Sequence, residues 1–439
     1  MRFVLILVAL AMARGQTARD PNVVLEQARA RLQAMARDLE KYVCVETVDR
    51  SYFQSVVPRN VPRDAPRAFE PRPEAEPACG PASAAHQLES TDRVRLEVSL
   101  SQGRELHSWP GATRFDFRDV DELIRNGPVS TGAFGGDLAS VFGNAAVTFL
   151  YKGEQSANGK TVFEYGYRVP IQASRFEIKA EAAWHPAAYE GDFQVDPQSL
   201  ELERLTIRTS ELPVGAAFCA AATRLEYQRV RIGENDVLLP RQSQLEIALH
   251  HGRQARNVTT FSACREYQAE SEIVFDAPSN PGSTVTRTAS RGRVALPIGL
   301  PVTLALIEPI DSATAAAGDP VAARVVKPIR RPGSTEELVP AGAVVHGRIR
   351  RVEHHLLPTP YFLIAVALNR VDVQGSLSPF AARSEPDPAL AKALGANLAI
   401  RETGVWFWGV GTFLIPTNKA STVIPAGFES KWFTLAAHR

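Results

Sequence analysis

The sequence predicts a mainly β protein, in which an N-terminal helix packs on a large, curved antiparallel sheet and a second, small β-barrel domain follows. Three observations lead to this fold class. Segments of alternating apolar and polar residues recur along the chain, as in strands with one buried face. A helical stripe of apolar residues follows Asp20 and Pro21. Three Pro-x-Gly turns in the C-terminal third each precede an alternating segment.

The composition is that of an ordinary globular protein. A chain of 439 residues with 45% hydrophobic and 8% aromatic residues has enough apolar material for two domains. Its formal net charge is +1 and its basic residues are scattered. Because such a chain has no strong positive field to attract phosphates, we expect no nucleic-acid partner.

Residues 1–15 have the layout of a secretory signal peptide. Arg2 precedes an apolar run from Phe3 to Ala13, and small residues follow before Gln16. The run is shorter than the roughly 20 residues that a membrane-spanning helix needs, although a buried N-terminal helix is an alternative. No later segment is long and apolar enough to span. We therefore expect a secreted or periplasmic protein whose mature chain has no transmembrane segment.

The chain contains four cysteines, Cys44, Cys79, Cys219 and Cys264. Exported proteins normally pair their cysteines, and four allow three connectivities. Proximity in the sequence favours Cys44 with Cys79 and Cys219 with Cys264. A metal site or a redox pair is the alternative, but no two of the four have the C-x-x-C spacing typical of such sites.

The first domain is predicted over residues 20–276 and begins with the helix. Asp20 can cap the helix with its side chain, and Pro21 at the first helical position has no N–H to leave unpaired. The apolar stripe consists of Leu25, Ala28, Leu32, Met35 and Leu39. A single stripe of this kind predicts that the helix lies against a sheet.

Strands are predicted on both sides of a Pro-rich segment. Tyr42–Phe53 is the first, and Arg93–Leu100 is the clearest because apolar and polar residues alternate throughout it. Residues 54–90 contain seven prolines, which lack the N–H that a ladder needs, so we expect a long mobile loop. Residues 110–144, which include several glycines, are expected to form a connecting flap.

A later strand carries the residues that we predict to face a ligand. Phe163, Tyr165 and Tyr167 are two residues apart, so their rings share one face of the strand. Trp109 ends an earlier strand and completes this set of four ligand-face candidates. Further strands are predicted over Leu202–Ile207, Leu225–Ile232, Leu245–Leu249 and Ser271–Phe275.

The second domain is predicted over residues 294–439, after a linker at 277–293 that combines Pro, Gly, Ser, Thr and Arg with few apolar residues. In each Pro-x-Gly turn, Pro presets one dihedral and Gly accepts a positive φ, so the turn leads the chain into a strand. The three turns end at Gly299, Gly342 and Gly427. A short helix is predicted over residues 387–400, inserted in the barrel.

An aromatic stretch follows this helix. It contains Trp406, Phe407, Trp408 and Phe413. The eleven residues of Val405–Ile415 are too few to cross a membrane as a helix. A buried strand or hairpin is one interpretation of the stretch, and an exposed patch for a protein partner or a bilayer surface is the other.

Several segments resemble known proteins. They are Tyr42–Thr47, Arg93–Leu100, Trp109–Pro110, Tyr165–Pro170, Val237–Pro240 and Asn257–Tyr267 with Cys264. In this order they resemble a family of secreted proteins of unassigned function from soil acidobacteria, over Val23–Phe275. More coarsely, a helix followed by a long antiparallel sheet resembles the half-barrel of periplasmic lipoprotein carriers. The Pro-Ala-Gly turns and Gly318-Asp319 resemble those of small β-barrels in envelope secretion components.

Few residues are arranged for chemistry. His250-His251 and His354-His355 are adjacent pairs, and neighbours on a strand point to opposite faces, so neither pair chelates one ion alone. His346 could join the second pair across a hairpin. No Gly-x-Ser-x-Gly, His-Glu-x-x-His or Cys-His nucleophile pattern is present. We predict no catalytic residues, no cofactor and no metal.

Three functions follow from these features. The leading hypothesis is an exported, non-enzymatic binding protein that holds a lipid or another apolar ligand in its curved sheet, under the helix and the flap. The first alternative is a cell-envelope scaffold that docks to another envelope protein through its C-terminal β domain. The second is a hydrolase whose site forms only in three dimensions.

Overall fold

The computed structural model describes residues 19–56, 79, 85–112, 115, 120–124, 127–157, 159–180, 183–267, 296–385 and 410–436. Several predicted features lie outside the described residues: the signal peptide at 1–15, the linker at 277–293, the helix at 387–400, the strand Ser271–Phe275 and most of the Pro-rich segment. In the described part of the chain, the fold is mainly β with one long N-terminal helix, as predicted.

Helix α1 spans Pro21–Asp38 and begins as predicted, because the Asp20 side chain accepts the N–H of Asn22 and Pro21 occupies the first helical position. A 3₁₀ turn over Leu39–Lys41 leads into the sheet. The buried residues of α1 are Val24, Ala28, Leu32 and Ala36. The buried stripe is therefore rotated by one residue at two places, where Val24 and Ala36 replace the predicted Leu25 and Met35.

Two short helices and one further 3₁₀ turn lie between strands. They are α2 (Val120–Leu123), α3 (Gly136–Phe142) and the 3₁₀ turn Ile171–Ala173. The strands of the first half are β1 (Tyr42–Ser55), β2 (His86–Ser101), β3 (Arg104–Ser108), β4 (Thr148–Ala157), β5 (Lys160–Val169), β6 (Glu177–Ala180), β7 (Ala183–Pro186), β8 (Tyr189–Val195), β9 (Leu202–Thr209), β10 (Phe218–Ile232), β11 (Asn235–Leu249) and β12 (Gln254–Glu266). Residues 86–90, which we expected in the loop, belong to β2.

The strands of the second half are shorter on average. They are β13 (Pro301–Leu306), β14 (Ile310–Asp311), β15 (Pro320–Val325), β16 (Ile329–Arg330), β17 (Glu337–Val339), β18 (Val344–His355), β19 (Tyr361–Val373), β20 (Ser376–Pro379), β21 (Ala382–Ser384), β22 (Val410–Pro416), β23 (Val423–Ile424) and β24 (Glu429–Thr434). The Pro-x-Gly turns precede β13, β18 and β24 as predicted, and their glycines have φ of 82°, 85° and 77°.

The first half forms one antiparallel sheet with a simple order. Its ladders run β4-β5-β8-β9-β10-β11-β12-β1-β2-β3, and β6 pairs separately with β7. Consecutive strands are mostly neighbours, and β1 enters between β12 and β2. The sheet is large, antiparallel and open, and it is not closed into a barrel.

In the second half, the ladders run β21-β24-β13-β15-β18-β19, and β19 also pairs with β20 and β22. These strands surround a second apolar core that includes Val345, Ile364 and Trp432. Only the two residues Phe380 and Ala381 separate β20 from β21. Among the residues that the structure describes, β20 and β21 are therefore joined by the chain and not by a ladder.

The two halves share one sheet. Residues Ser90, Thr91 and Asp92 of β2 pair with His355, His354 and Glu353 of β18. The ladder is short, but it makes the second half a continuation of the first rather than a body joined only by a linker.

The disulfides correct the predicted pairing. Cys44 is bonded to Cys264, and Cys79 is bonded to Cys219. Proximity in the sequence is misleading here because β1 and β12 are neighbours in the sheet, although Cys44 and Cys264 are 220 residues apart. The β1–β12 register shifts between Val43 and Val45. Cys44 therefore lies at a β-bulge next to β12, the strand that carries Cys264.

A turn of the second half docks onto the edge of β2. The backbone N–H of Arg95 donates to the carbonyl oxygen of Ala317 at 2.8 Å. The N–H of Ala317 in turn donates to the carbonyl oxygen of Arg93 at 2.9 Å. The Arg95 guanidinium also contacts both carboxylate oxygens of Asp319. Gly318 lies between these contacts, and a Cβ on it would be 2.2 Å from the Arg95 carbonyl oxygen and 2.8 Å from the Trp109 ring.

We expect Gly318→Ala to destabilise the protein more than Gly342→Ala. Both glycines have positive φ, of 107° and 85°, but only Gly318 has backbone close to the added Cβ. The two variants therefore share the backbone strain and differ in the steric clash, which costs about 1–3 kcal/mol in a packed site. Urea unfolding measures both losses of free energy. Equal losses would contradict the tight docking of this turn.

Buried charges surround the β2–β18 ladder. Arg50 donates to both carboxylate oxygens of Asp92 at 2.6 and 2.8 Å. Glu353, the ladder partner of Asp92, accepts two hydrogen bonds from Arg351 at 2.5 and 2.8 Å and contacts His355 Nε2 at 2.9 Å. Burial would raise the pKa of Glu353, but the hydrogen bonds from His355 and Arg351 outweigh it and lower this pKa to about 2.

The ionisation of Glu353 should make the seam between the halves sensitive to acid. Its folded pKa of about 2 is below the ordinary glutamate value of 4.5, so its contribution to stability is present above pH 4.5 and is lost as the pH falls toward 2. At about 1.4 kcal/mol per pKa unit, the full loss is about 3 kcal/mol. We expect the difference in unfolding free energy between wild type and Glu353→Gln to shrink by about 2 kcal/mol between pH 6 and pH 3. A difference that does not change with pH would show that Glu353 is not ionised in the fold.

Candidate functional site

One face of the first-half sheet is covered by a cap, which we define as α1 together with residues 132–142. The cap contributes Leu32, Leu138, Val141 and Phe142 to the main apolar core. Gln33 Nε2 donates to the Phe142 carbonyl oxygen at 2.5 Å and so joins the two parts of the cap. The cap covers the place where the sequence predicted a ligand.

Under the cap lies an aromatic face formed by β4, β5 and β8. It consists of Phe149, Tyr151, Phe163, Tyr165, Tyr167, Tyr189 and Phe193. The Tyr165 and Phe193 rings stack with centroids 5.1 Å apart, and Phe142 of the cap meets Phe193 edge to face at 5.0 Å. Three of the predicted ligand-face residues, Phe163, Tyr165 and Tyr167, are therefore brought together, and all three are buried.

The tyrosine hydroxyls of this face have different partners. Tyr165 Oη donates to the carbonyl oxygen of Pro21 in the cap at 2.8 Å. Tyr167 Oη donates to the carbonyl oxygen of Thr206 in the sheet at 2.7 Å. The Tyr165 hydroxyl thus links the sheet to the cap, whereas the Tyr167 hydroxyl forms its hydrogen bond within the sheet.

Trp109, the fourth predicted ligand-face residue, lies elsewhere. It packs with Val94, Leu96 and Ala317 in a small core at the seam between the halves. The Arg350 guanidinium lies 5.1 Å from the centre of its ring. The prediction placed Trp109 on the ligand face from its position at a strand end, but the turn at Gly318 covers it instead.

A single carboxylate anchors the loop that precedes α3. Glu105 accepts the backbone N–H groups of Gly132, Phe134, Gly135 and Gly136 at 2.6, 2.7, 3.0 and 3.3 Å. Successive N–H groups that converge in this way form an anion-binding nest. Glu105 was not predicted from the sequence, because only the glycines indicate a nest and they are some 30 residues away.

Next to this anchor lies a buried group of titratable residues. His107 Nε2 is 3.2 Å from the Glu46 carboxylate and 3.9 Å from that of Glu105. Burial would lower the pKa of His107, but the hydrogen bond and charge of Glu46, with the charge of Glu105, raise it. Burial raises the pKa of Glu105, and burial together with the Glu105 charge raises that of Asp137 well above its usual value. Acidic side chains and a histidine therefore lie close together, as in many catalytic sites. The side chains of Glu46, Glu105 and His107 are, however, only 2–5% exposed, so solvent has little access to them.

Tyr227 adds an unpaired group to the same region. The residue is 8% exposed, and its hydroxyl has no hydrogen-bond partner among the residues that the structure describes. Burial raises its pKa, as do the charges of Asp137 and Glu105. A neutral hydroxyl therefore faces the interior close to the cap with a free donor.

The opposite face of the sheet is polar. An open depression of about 360 Å³ lies there on β9, β10 and β11. Its lining residues are Thr206, Arg208, Ala222, Thr223, Arg224, Glu226, Gln242, Gln244 and Glu246. Arg224 and Arg241 both contact Glu226, so the charges of this face largely pair with one another.

The predicted partner patch is placed only in part. Trp406, Phe407 and Trp408 lie outside the described residues. Phe413 is half-buried on β22 and packs edge to face against Phe428 and Trp432, with centroids 5.7 and 6.5 Å away. His355, which we considered with His346 and His354 as a metal ligand, is engaged by Glu353. Within the described ranges, no helix is long and apolar enough to cross a membrane.

The chain was compared with known proteins. No family model and no curated protein sequence matches it. Among solved structures it is similar to a LolA superfamily protein from Nitrosomonas europaea, with 10% identity, 57% of this chain and 95% of that chain covered, and a TM-score of 0.25. A DUF1329 family protein from Desulfovibrio piger matches with 11% identity, 58% and 96% coverage and a TM-score of 0.29.

A third solved structure is ComB10 of the Com type IV secretion system of Helicobacter pylori. It matches with 14% identity, 32% of this chain and 86% of that chain covered, and a TM-score of 0.18. The resemblance to an acidobacterial family stays a prediction.

We expect Asp137→Asn to stabilise the protein at neutral pH. The folded pKa of Asp137 is raised, so its contribution to stability is full below its unfolded pKa of about 4 and is lost as the pH rises. Asparagine is neutral at every pH and avoids that loss. Urea unfolding at pH 7 and pH 4 should show a stabilisation that shrinks toward pH 4.

Asp192→Asn is the matched control, with the opposite sign. Burial would raise the pKa of Asp192, but its hydrogen bonds from Lys152 and Arg208 on the outer face lower it. Neutralising Asp192 should therefore destabilise the protein at pH 7. A destabilising Asp137→Asn at pH 7 would show that the Asp137 carboxyl is ionised under the cap.

Proposed function

We propose that the first half of the chain, residues 20–276, is an extracytoplasmic, non-enzymatic binding unit that takes a lipid acyl chain or a similar apolar ligand between the cap and the aromatic face. Two disulfides are typical of proteins outside the cytoplasm. The observation that supports the proposal most strongly is that only side chains attach the cap to the sheet in the described part of the chain. In the described part of the chain, cap and sheet share no backbone-to-backbone hydrogen bond.

The sheet does not need the cap for its ladders. β4, β5 and β8 are paired with one another and with β9 through their own backbone groups. The cap rests on the sheet through side-chain packing, through the Tyr165 hydroxyl of β5 and through the Glu105 carboxylate of β3. It can therefore move away without leaving the strands unpaired, whereas removing a strand would expose many backbone groups.

The free-energy cost of such an opening determines which class of ligand can bind. Exposing a fully buried large apolar side chain costs about 1.5–3 kcal/mol, and the aromatic face holds several of them. A ligand stabilises the open form only if it covers these rings again, which an acyl chain does and a sugar or a peptide of charged residues does not. The free Tyr227 hydroxyl supplies a donor for an ester or carboxyl oxygen of the ligand.

The two other hypotheses have less support. A hydrolase would use the Glu46, His107 and Glu105 group, but these side chains are buried, and Glu105 is engaged in holding the cap. Docking of an envelope protein through the second half stays a prediction, because most of the predicted patch is outside the described residues.

The direct test is photolabelling with a long-chain fatty acid that carries a diazirine on its acyl chain. The protein, prepared without detergent, is irradiated with the probe, digested and mapped by mass spectrometry. We expect adducts on peptides of α1, α3, β4, β5 and β8, and their suppression by excess unlabelled fatty acid. A short diazirine carboxylate without the chain is the control. Adducts confined to the polar outer face, or equal labelling by the control, would refute an apolar site under the cap.

Tyr165→Phe should increase this labelling, and Tyr167→Phe should not. Each change removes one buried hydroxyl hydrogen bond, worth about 1 kcal/mol, but only Tyr165 bonds to the cap. A loss of that size shifts the opening equilibrium by about fivefold. The initial rate of labelling measures this shift, and urea unfolding confirms that both variants lose similar stability. Equal rates for the two variants would mean that the ligand does not enter by opening of the cap.

A further inference from the structure

The two disulfides differ in exposure. Cys44 is fully buried under the cap, and its bond to Cys264 lies inside the β1–β12 ladder. Cys79 is exposed and its partner Cys219 is half-buried. Cys264 is half-buried, so only the Cys79–Cys219 bond has an exposed sulfur atom, and we expect a dithiol in solution to reduce it before the other.

His250 lies beside this exposed bond in a defined orientation. Its Nε2 is 2.8 Å from the carbonyl oxygen of Ala216, and its Nδ1 is 3.5 Å from Cys219 Sγ. A carbonyl oxygen only accepts, so Nε2 carries the hydrogen in the neutral ring and Nδ1 presents its lone pair to the sulfur. The backbone holds the three residues together, because Cys79 forms a β-bridge with His250.

We propose that reduction of the Cys79–Cys219 disulfide creates a zinc site from the two thiolates and His250 Nδ1. The three ligand atoms already lie within 4.8 Å of one another. Sulfur and imidazole nitrogen are the ligands that Zn²⁺ prefers, and a three-ligand site with an open fourth position is one of its common forms. A carbonyl that holds the second ring nitrogen is the usual support for a zinc-bound histidine.

The chemistry balances with a dithiol as reductant. The dithiol donates two electrons and two protons to the Cys79–Cys219 bond, becomes a disulfide and leaves two cysteine thiols. Zn²⁺ then displaces the two thiol protons. Two thiolates on a tetrahedral zinc are roughly 3.8 Å apart. Once the bond is reduced, side-chain rotation of the exposed Cys79 can bring the two sulfur atoms to that distance.

The test uses the full chain, reduced under native conditions with a phosphine and then desalted. Co²⁺ serves as the spectroscopic probe, and Zn²⁺ is added to displace it. We expect one Co²⁺ per chain with thiolate-to-cobalt charge-transfer absorption, and none in the unreduced protein. Mass spectrometry after alkylation of the wild type should show Cys79 and Cys219 free without zinc, protected with zinc, and Cys44 still bonded to Cys264.

His250→Ala should weaken Co²⁺ binding more than tenfold, while the neighbouring exposed His251→Ala should leave it unchanged. Three outcomes would overturn the proposal: cobalt spectra without thiolate bands, equal affinities for the two histidine variants, or no zinc protection of the wild-type thiols. The alkylation result needs no variant, so a His250→Ala protein that fails to fold does not rescue the proposal.

Discussion

The structure depends on the requirement that β2 pair its backbone groups along both edges. One edge pairs with β1 from His86 to Ser99. The other edge has three successive partners: β18 at residues 90–92, the turn at Ala317 at residues 93–95, and β3 at residues 97–101. A central strand cannot leave these groups unpaired without a large cost. The second half of the chain supplies the pairing that β3 is too short to provide.

This shared strand explains where the charges are. Arg50, Asp92, Glu353 and Arg351 lie at the β2–β18 ladder, where both halves exclude water. Each carboxylate there has an arginine with two hydrogen bonds, the geometry that best offsets the desolvation of a charge. Under the cap the balance differs. Burial and the Glu105 charge both raise the pKa of the Asp137 carboxyl.

The sequence predicted those features that depend on neighbouring residues. The start of α1, the alternating strands among the described residues and the Pro-x-Gly turns are local features, and each is found where its residues indicated. The pairing of Cys44, the position of Trp109 and the role of Glu105 depend on which strands become neighbours. Trp109 shows the difference clearly: its strand was predicted, but the turn at Gly318 that covers it comes from 209 positions later in the chain.

The connection between α1 and β1 explains how the proposed movement of the cap is compatible with a rigid sheet. After α1 the chain passes through Leu39–Lys41 and enters β1, where the third residue is Cys44, bonded to Cys264. The carbonyl oxygen of Lys41 accepts the N–H of Tyr267 at 2.7 Å, next to the same disulfide. The sheet is therefore covalently fixed at the point where α1 leaves it. Any displacement of α1 must be absorbed within residues 39–41, and the disulfide keeps it from opening the β1–β12 ladder.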